Sequence, residues 1–287
     1  MTWPGNGTAV RKILMLDILM STFNGGEFLD EQLDSILVED AVDLRVLIRD
    51  DGSTDRTIDI LSGRAEKDAR IRLIKDELGN LGPAASFMKL LEASEADHFM
   101  FADQDDVWLR GKIASSLERI VQMAAECSAG TPLIVFTDLT VCDSDLKVVA
   151  QSFWKYQRLD PEIALAWKKL LAQNVVTGCT MIGNAAARAV SLPFALPDMM
   201  HDHWVAVNAA RSGKVAYLPE QTVLYRQHGA NAEGAKDFDT KYAAGRLAGI
   251  FERYRFYKKA ARYFDCSAAG LMFFKIRENL RRLFLGP

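Results

Sequence analysis

Three carboxylates, Asp103, Asp105 and Asp106, fall within four residues at the end of the apolar run His98-Phe99-Met100-Phe101-Ala102, and Trp108 follows them. A run of this kind reads as a buried strand of a parallel sheet. Its acids then stand at the strand's carboxyl end, where open α/β sheets bind ligands. Acids this close repel one another unless a cation or a set of donors offsets them. A hard divalent cation takes one or two protein carboxylates together with the oxygens of a bound phosphate. One chemistry implied is a metal ion holding a phosphorylated substrate. The competing reading is a solvated acidic turn, because aspartate is common in turns.

Further candidates have the same setting. A second apolar run, Leu44 to Ile48, leads into Arg49-Asp50-Asp51-Gly52-Ser53-Thr54-Asp55. Ser53, Thr54 or Asp55 can cap the helix that follows. Capping leaves Asp50 and Asp51 unexplained, and a carboxylate here could accept hydrogen bonds from a ribose or from the imide N–H of a pyrimidine. His201-Asp202-His203-Trp204 opens an apolar helix. Asp202 is there a helix cap, a general base or part of a metal site. Histidines at i and i+2 diverge on a helix, which argues against a zinc site made from His201 and His203. His228, in Arg226-Gln227-His228-Gly229-Ala230-Asn231, closes a short strand and could complete a metal site. Lys112 is either a phosphate contact or a surface lysine.

The elements that must position these residues alternate between strand and helix. Residues 13–20 read as a buried strand, Ser21 to Gly26 as a loop, and Phe28, Leu29, Leu33, Ile36 and Leu37 repeat at helical spacing. A strand, a glycine loop and a helix open an α/β fold. The loop lacks the Gly-Lys-Ser/Thr ending of a phosphate-binding P-loop. A short strand is predicted over Ile71–Ile74. A turn follows at Gly79-Asn80-Leu81-Gly82-Pro83, with Pro83 suited to the first helical position. Trp108 to Met123 reads as a helix carrying Lys112, and Leu133 to Leu139 as a strand with an unusual Asp138. Phe153 to Leu171 reads as a helix or lid near the cleft. Val215–Leu218 and Thr222–Tyr225 read as two short strands.

The chain has 287 residues, 25% of them charged, and a formal net charge of −3, which is ordinary for a globular protein and gives no nucleic-acid signal. Its four cysteines, Cys127, Cys142, Cys179 and Cys266, show no paired metal spacing, so a reduced, cytoplasmic chain is expected. Met1 to Thr8 lacks the basic-then-apolar pattern of a signal peptide. No apolar stretch reaches the ~18 residues of a membrane span. Composition shifts near residue 235. Residues 236–287 hold twelve Lys and Arg against five Asp and Glu, a net of +7, interleaved with aromatics such as Phe251, Tyr254, Phe256, Tyr257, Tyr263, Phe264, Phe273 and Phe274. This reads as amphipathic helices with a basic face. They bind a membrane surface, or pack back on the domain with that face in water, or, as a third reading, bind a single-stranded nucleic acid.

Six pieces in order carry a family resemblance. They are Ser21 to Leu29 with Gln32 to Ile36, Arg49 to Asp55, Gly79 to Gly82, Ala102 to Trp108, His201 to Trp204, and Arg226 to Asn231. Over roughly residues 14 to 232 the chain resembles family 2 glycosyltransferases of the GT-A fold. Within them it most resembles bacterial rhamnosyltransferase-like enzymes that build surface polysaccharides. The resemblance implies an α/β catalytic domain over 1–235, with a Rossmann-like, mostly parallel sheet flanked by helices, and a C-terminal helical extension over 236–287. It puts Thr22 and Asp51 in the nucleotide base pocket and Asp103 near the ribose. Asp105 would ligate Mg²⁺ or Mn²⁺ beneath the donor diphosphate, and His228 would bind the metal or phosphate. Lys112 joins the donor-binding set, and Asp106, Trp108, His201 and Trp204 support the site. Asp202 matches the catalytic base that deprotonates an acceptor hydroxyl, which inverts the anomeric carbon by direct displacement. Ser86 stands where relatives often have Asn, and His203 where a Trp is common. The implied partners are a pyrimidine nucleotide-diphosphate sugar and a lipid-linked saccharide, at the cytoplasmic face of the inner membrane.

Three rivals share some of these features. A nucleotidyltransferase would need a basic glycine-rich loop after the first strand, and residues 21–31 contain no Lys or Arg. A phospho-acceptor receiver, which also uses paired acids and a lysine, is much shorter and has no place for the acidic second half. A catalytically inactive assembly partner would be expected to lack some of the acids, and all are present.

Overall fold

The computed structural model describes residues 14–39, 42–229 and 250–284. The apolar runs that precede the acids are neighbouring strands of one sheet. Strands β1 (Met15–Thr22), β2 (Asp43–Asp50), β3 (Ile71–Leu73) and β4 (His98–Ala102) lie parallel in the order β3-β2-β1-β4. The sheet continues through β5 (Val107–Trp108), β6 (Leu133–Cys142), β7 (Val148–Ala150), β8 (Met181–Asn184) and β9 (Lys214–Arg226), in the order β4-β8-β6-β9-β5 with β7 on β6. Strands β6 and β9 run with the first four, whereas β5, β7 and β8 run against them. Register does the positioning. Thr22 pairs with Asp50, and Met20 with Ala102, so β1, β2 and β4 end at one edge. Asp51 and Asp103 follow directly.

Helices cover both faces: α1 (Leu29–Leu37), α2 (Thr57–Lys67), α3 (Pro83–Ala93), α4 (Lys112–Ala125), α5 (Phe153–Tyr156), α6 (Trp167–Ala172), α7 (Ala185–Val190), α8 (His201–Ser212), α9 (Ile250–Phe264) and α10 (Ala268–Phe284). Side chains alternate along each strand, so the core splits in two. Leu16, Ile18, Met20 and Met100 pack with Leu29, Leu33 and Ile36 of α1 and Ile113, Leu117 and Ile120 of α4. Leu19, Phe99 and Phe101 pack with Phe87 and Leu90 of α3, Val205 of α8, and Tyr257, Ala260 and Phe264 of α9. Full burial of one such side chain contributes about 1.5–3 kcal/mol. The C-terminal helices therefore share a core with the central strands.

Several expected elements differ in extent. The helix expected from Trp108 begins only at Lys112. Trp108 instead pairs with Val223 in the sheet, and Gly111, with φ +87°, makes the turn between them. The two short strands after Val215 are one strand, β9. Its register with β6 jumps from Thr137–Leu218 to Asp138–Gln221, past Pro219, which has no N–H to give to a ladder. Asp138 sits at this irregularity, where its carboxylate accepts from Ser152 Oγ, the Trp154 N–H and Gln221 Nε2. That accounts for a buried acid in a strand. Phe153 to Leu171 is two short helices around a 3₁₀ turn at Pro161–Leu165, as a proline in the run dictates. The four cysteines are free thiols. Among the described residues no helix is long and apolar enough to cross a membrane. The 235/236 boundary, Ala230, Asn231, Met1 to Thr8 and the basic residues between 236 and 249 lie outside the described residues.

Candidate active site

The sheet edge builds one wall. Thr22 Oγ1 donates to Asp50 Oδ1 at 2.8 Å, and Asp50 Oδ2 accepts from the Ser53 N–H at 2.8 Å, so Asp50 shapes the turn. Asp51 is tied to the edge by its own N–H, which donates to the Thr22 carbonyl at 2.7 Å. Its carboxylate accepts from the Leu81 and Gly82 N–H groups, each at 2.8 Å, and pairs with the buried Arg49. Arg49 also reaches Asp76 at 2.8 Å, the Gly79 carbonyl at 2.8 Å and Ser86 Oγ at 3.1 Å. Asp51 and Arg49 thus bind the Gly79–Gly82 turn to the sheet, beside Thr22. Ser86, one of the departures from the family pattern, belongs to this network and accepts from Ser21 Oγ at 2.7 Å.

The acids after β4 face different surroundings. Asp105 lines the cleft, and its Oδ2 lies 2.9 Å from His228 Nε2. The His228 ring packs 4.9 Å from Phe28. Asp106 is 0% exposed; its Oδ1 accepts from the Arg226 N–H at 3.1 Å, and its Oδ2 has no hydrogen-bond partner. Asp103, Asp106 and Cys179 bring ligand atoms within 4.8 Å of one another. Desolvation, and then the charges of Asp105 and Asp202, push the Asp103 carboxyl up to about 7. Desolvation also drives Asp106 well above the usual carboxylate range, with Asp105 and Asp103 adding to it. Burial raises the Cys179 thiol in the same way. A cation here would favour the charged carboxylates.

The opposite wall starts at α8. Asp202 stands in the first turn of this helix, next to its positive end. Its Oδ2 accepts from the Gly178 N–H at 3.2 Å and its Oδ1 from the N–H of His203. His201 stacks on Phe87 at 4.1 Å and meets Phe101 edge-on at 4.7 Å, with both ring nitrogens lacking a hydrogen-bond partner. Burial lowers it to about 3. His203 turns the other way, Nε2 lying 2.8 Å from the Leu170 carbonyl, and burial lowers it to about 4. The two rings diverge as their spacing requires.

Thr22, Asp51, Asp103, Asp105, His201 and Asp202 all line one cleft of about 1320 Å³. Lys112 does not. It is 2% exposed, with Nζ 3.4 Å from Thr222 Oγ1 and 4.7 Å from the centre of the Trp108 ring, and burial lowers it to about 8. The expected phosphate contact is therefore corrected: Lys112 sits on the first buried turn of α4, beneath the site. Trp108 is buried with it. Trp204 lies in the core, where Nε1 donates to the Ser191 carbonyl at 2.6 Å and the ring contacts Phe194, Tyr263 and Phe264. Sequence reading passed over Arg226, which donates from Nε to the Asp105 carbonyl at 2.8 Å, from NH1 to the Ser144 carbonyl at 2.6 Å, and pairs with Glu31. A signal was there, since an arginine two residues from His228 has five donors to satisfy. Gln104 was also missed; it accepts from the Phe23 N–H at 2.9 Å and donates to the Phe23 carbonyl at 3.0 Å.

The glycosyl transferase family 2 profile matches residues 17–189, more than half of the chain. The dTDP-rhamnosyl transferase RfbG of Shigella flexneri is 27% identical over 240 residues, covering 78% of this chain and 76% of that protein. Residues 1–349 of S. aureus TarS, solved with UDP-GlcNAc, align with a TM-score of 0.63 at 16% identity, over 94% of this chain and 72% of that one. The mannosyltransferase PcManGT of Pyrobaculum calidifontis, solved with GDP-Man and Mn²⁺, aligns with a TM-score of 0.58 at 15% identity, over 91% of this chain and 73% of that one. The structural likenesses speak for a shared GT-A fold. With the profile spanning the strands that carry Thr22, Asp51 and the Asp103–Asp106 cluster, this chain belongs to glycosyl transferase family 2.

Proposed function

We propose that the chain transfers a sugar, with rhamnose as the first candidate, from a pyrimidine nucleotide-diphosphate sugar to a hydroxyl of a growing lipid-linked surface polysaccharide, with inversion at the anomeric carbon. The observation that carries this reading is one cleft with strand-end carboxylates on one wall and Asp202, held by two N–H groups, on the other. Thr22 and Asp51 hold the base and Asp103 the ribose. Asp202 takes the proton of the acceptor hydroxyl as it attacks. The name of the Shigella relative supports a deoxythymidine diphosphate donor. The UDP-GlcNAc and GDP-Man complexes of the structural neighbours support a nucleotide-sugar donor in general.

The residues fit a divalent ion. A carboxylate and an imidazole meet at Asp105 and His228, and a buried carboxylate oxygen of Asp106 lacks a hydrogen-bond partner just behind them. Asp105 and His228 would hold Mg²⁺ or Mn²⁺. Bound there, the ion would stabilise the departing nucleoside diphosphate as a Lewis acid. Asp106 and Arg226 keep Asp105 and the end of β9 in place from below. The basic C-terminal extension supports work at the cytoplasmic face of a membrane.

Thermal unfolding with a panel of nucleotide sugars, with and without Mn²⁺, tests the reading. Metal-dependent stabilisation by one pyrimidine nucleotide sugar, absent in Asp105→Ala, is the expected result and names the donor. A folded protein that no nucleotide sugar stabilises, with or without metal, would overturn it.

A further inference from the structure

The last helix has two different faces. On α10, Leu271, Lys275, Glu278 and Arg282 are buried, and Lys275 and Arg282 line the cleft. Phe273, Arg277, Leu280 and Phe284 stand at i, i+4, i+7 and i+11, on the opposite side of the helix, and all four are exposed. Phe273 is 70% exposed, Leu280 49% and Phe284 86%. Single apolar side chains at a surface are ordinary, but three large ones in one row mark a contact face. Among the described residues the two cores do not use this row, whereas Leu271 on the inner side belongs to the core that holds Leu170 and Phe264.

Charge around the row selects what can cover it. Residues 250–284 hold nine Lys and Arg against three Asp and Glu, in a chain whose formal net charge is −3. Basic residues are therefore concentrated in the helix pair, and the rest of the chain is acidic. Arg277 stands inside the row, its guanidinium 5.0 Å from the centre of the Phe274 ring and 3.5 Å from Glu278. On α9, Arg255, Lys258, Lys259 and Arg262 line a shallow outer groove, where Lys259 pairs with Asp198 at 2.7 Å. A second copy of the chain would bring this basic pair against its like. Three side chains also cover less than the ~800 Å² per partner of a stable protein interface. A bilayer with anionic headgroups suits both features, because it takes apolar side chains into the acyl boundary and draws Lys and Arg to its surface.

We propose that the outer face of α10 docks on an anionic lipid bilayer, with Phe273, Leu280 and Phe284 entering the acyl boundary and the basic residues of the helix pair drawing the protein to the headgroups. This deepens the reading of a lipid-linked acceptor and rests on it for its purpose. The cleft lies on the inner side of the same helix. One helix thickness, about 10 Å, then separates the bilayer from the cleft wall. A glycan rooted in the membrane would reach Asp202 around the edge of α10.

The test is flotation of the full chain with vesicles of phosphatidylcholine alone and of phosphatidylcholine mixed with phosphatidylglycerol. Partition into the mixed vesicles is expected to be at least about tenfold stronger than into the neutral ones, and to weaken as salt rises. Phe273→Gln with Phe284→Gln alters only exposed positions and should lower partition by about tenfold or more. Lys258→Gln with Arg262→Gln should narrow the preference for anionic lipid. A parent chain that floats with neither vesicle, or a Phe273→Gln, Phe284→Gln variant that floats as well as the parent, would overturn the proposal. So would a parent dimer in analytical ultracentrifugation that this variant dissociates, because a second copy would then cover the row. Thermal stabilisation by a nucleotide sugar with Mn²⁺ is scored separately and should be the same in parent and variant. A parent that floats but that no nucleotide sugar stabilises removes the transferase reading and leaves the docking face standing.

Discussion

The two walls of the cleft are made in different ways. The strand-end wall is fixed by register: once β1, β2 and β4 pair in parallel, Thr22, Asp51 and Asp103 must meet at one edge. It is polar, and its carboxylates press on one another. The Asp202 wall is gathered from α8, the segment ending at Gly178, and the C-terminal helices. Behind it lie aromatic rings and two histidines that burial keeps neutral. One wall stores electrostatic repulsion that a bound cation can relieve, and the other presents the Asp202 carboxylate on an apolar backing. Displacement at a sugar carbon needs that division, with the leaving group managed on one side and the proton on the other.

The comparison breaks most visibly at Asp202. Asp202→Asn keeps the shape of the side chain and one of the two hydrogen bonds from Gly178 and His203, since its amide has a single accepting oxygen, and it cannot take a proton. Transfer should fall by about 10²–10⁴ in kcat, the usual contribution of a general base. Stabilisation by donor and Mn²⁺ should survive, because the other wall is intact. Initial rates beside thermal shifts check both halves. If donor binding falls with turnover, the walls are not independent.

Arg49 tests how the strand-end wall is built. Arg49→Met leaves Asp51 buried beside a methionine and removes the bond to the Gly79 carbonyl, so the Gly79–Gly82 turn is held by Asp51 alone. Breaking a buried pair costs several kcal/mol. Here about 3 kcal/mol is expected, because Asp76 at the far side of the guanidinium is partly solvated. Denaturant unfolding measures the loss, and donor affinity should fall with it. Asp105→Ala should act on binding alone. A ligand at ~100 times its dissociation constant adds about 2.7 kcal/mol, and in this variant the Mn²⁺-dependent part of that gain should vanish.

What sequence reading reached follows the same division. Acids that end apolar runs were visible because the strand, its direction and the carboxyl edge follow from one another. The first turn of α8 was visible for a similar reason, as His-Asp-His opens an apolar helix. Lys112 was misplaced because closeness in sequence to Asp106 does not say which way a side chain points, and the turn at Gly111 rotates it beneath the sheet edge. The convergence of Cys179 on Asp103 and Asp106, and of Arg226 on Asp105, joins positions far apart along the chain. No local pattern encodes such meetings. The basic tail was read as amphipathic, yet Lys275, Glu278 and Arg282 are buried in it. Their burial depends on what α10 packs against.

The smallest predicted effect concerns the neutral histidines behind Asp202. In the unfolded chain a histidine takes up a proton near pH 6.5, whereas His201 resists until about 3 and His203 until about 4. Between those limits the unfolded state binds more protons, so stability falls as pH drops from about 6.5 towards 4. Each histidine contributes a slope of at most about 1.4 kcal/mol per pH unit. Asp103 and Asp106 are raised rather than lowered, so they work in the opposite direction over part of the same range. The net curve of the parent protein therefore does not isolate the histidines, but a difference does. His201→Phe keeps an aromatic ring against Phe87 and Phe101 and removes one titrating group together with two nitrogens that lack partners. Urea unfolding of parent and variant at pH 7, 6 and 5 should show the variant gaining on the parent as pH falls. A constant difference across that range would mean that His201 charges in the folded protein, and that the backing of the Asp202 wall is wetter than its packing implies.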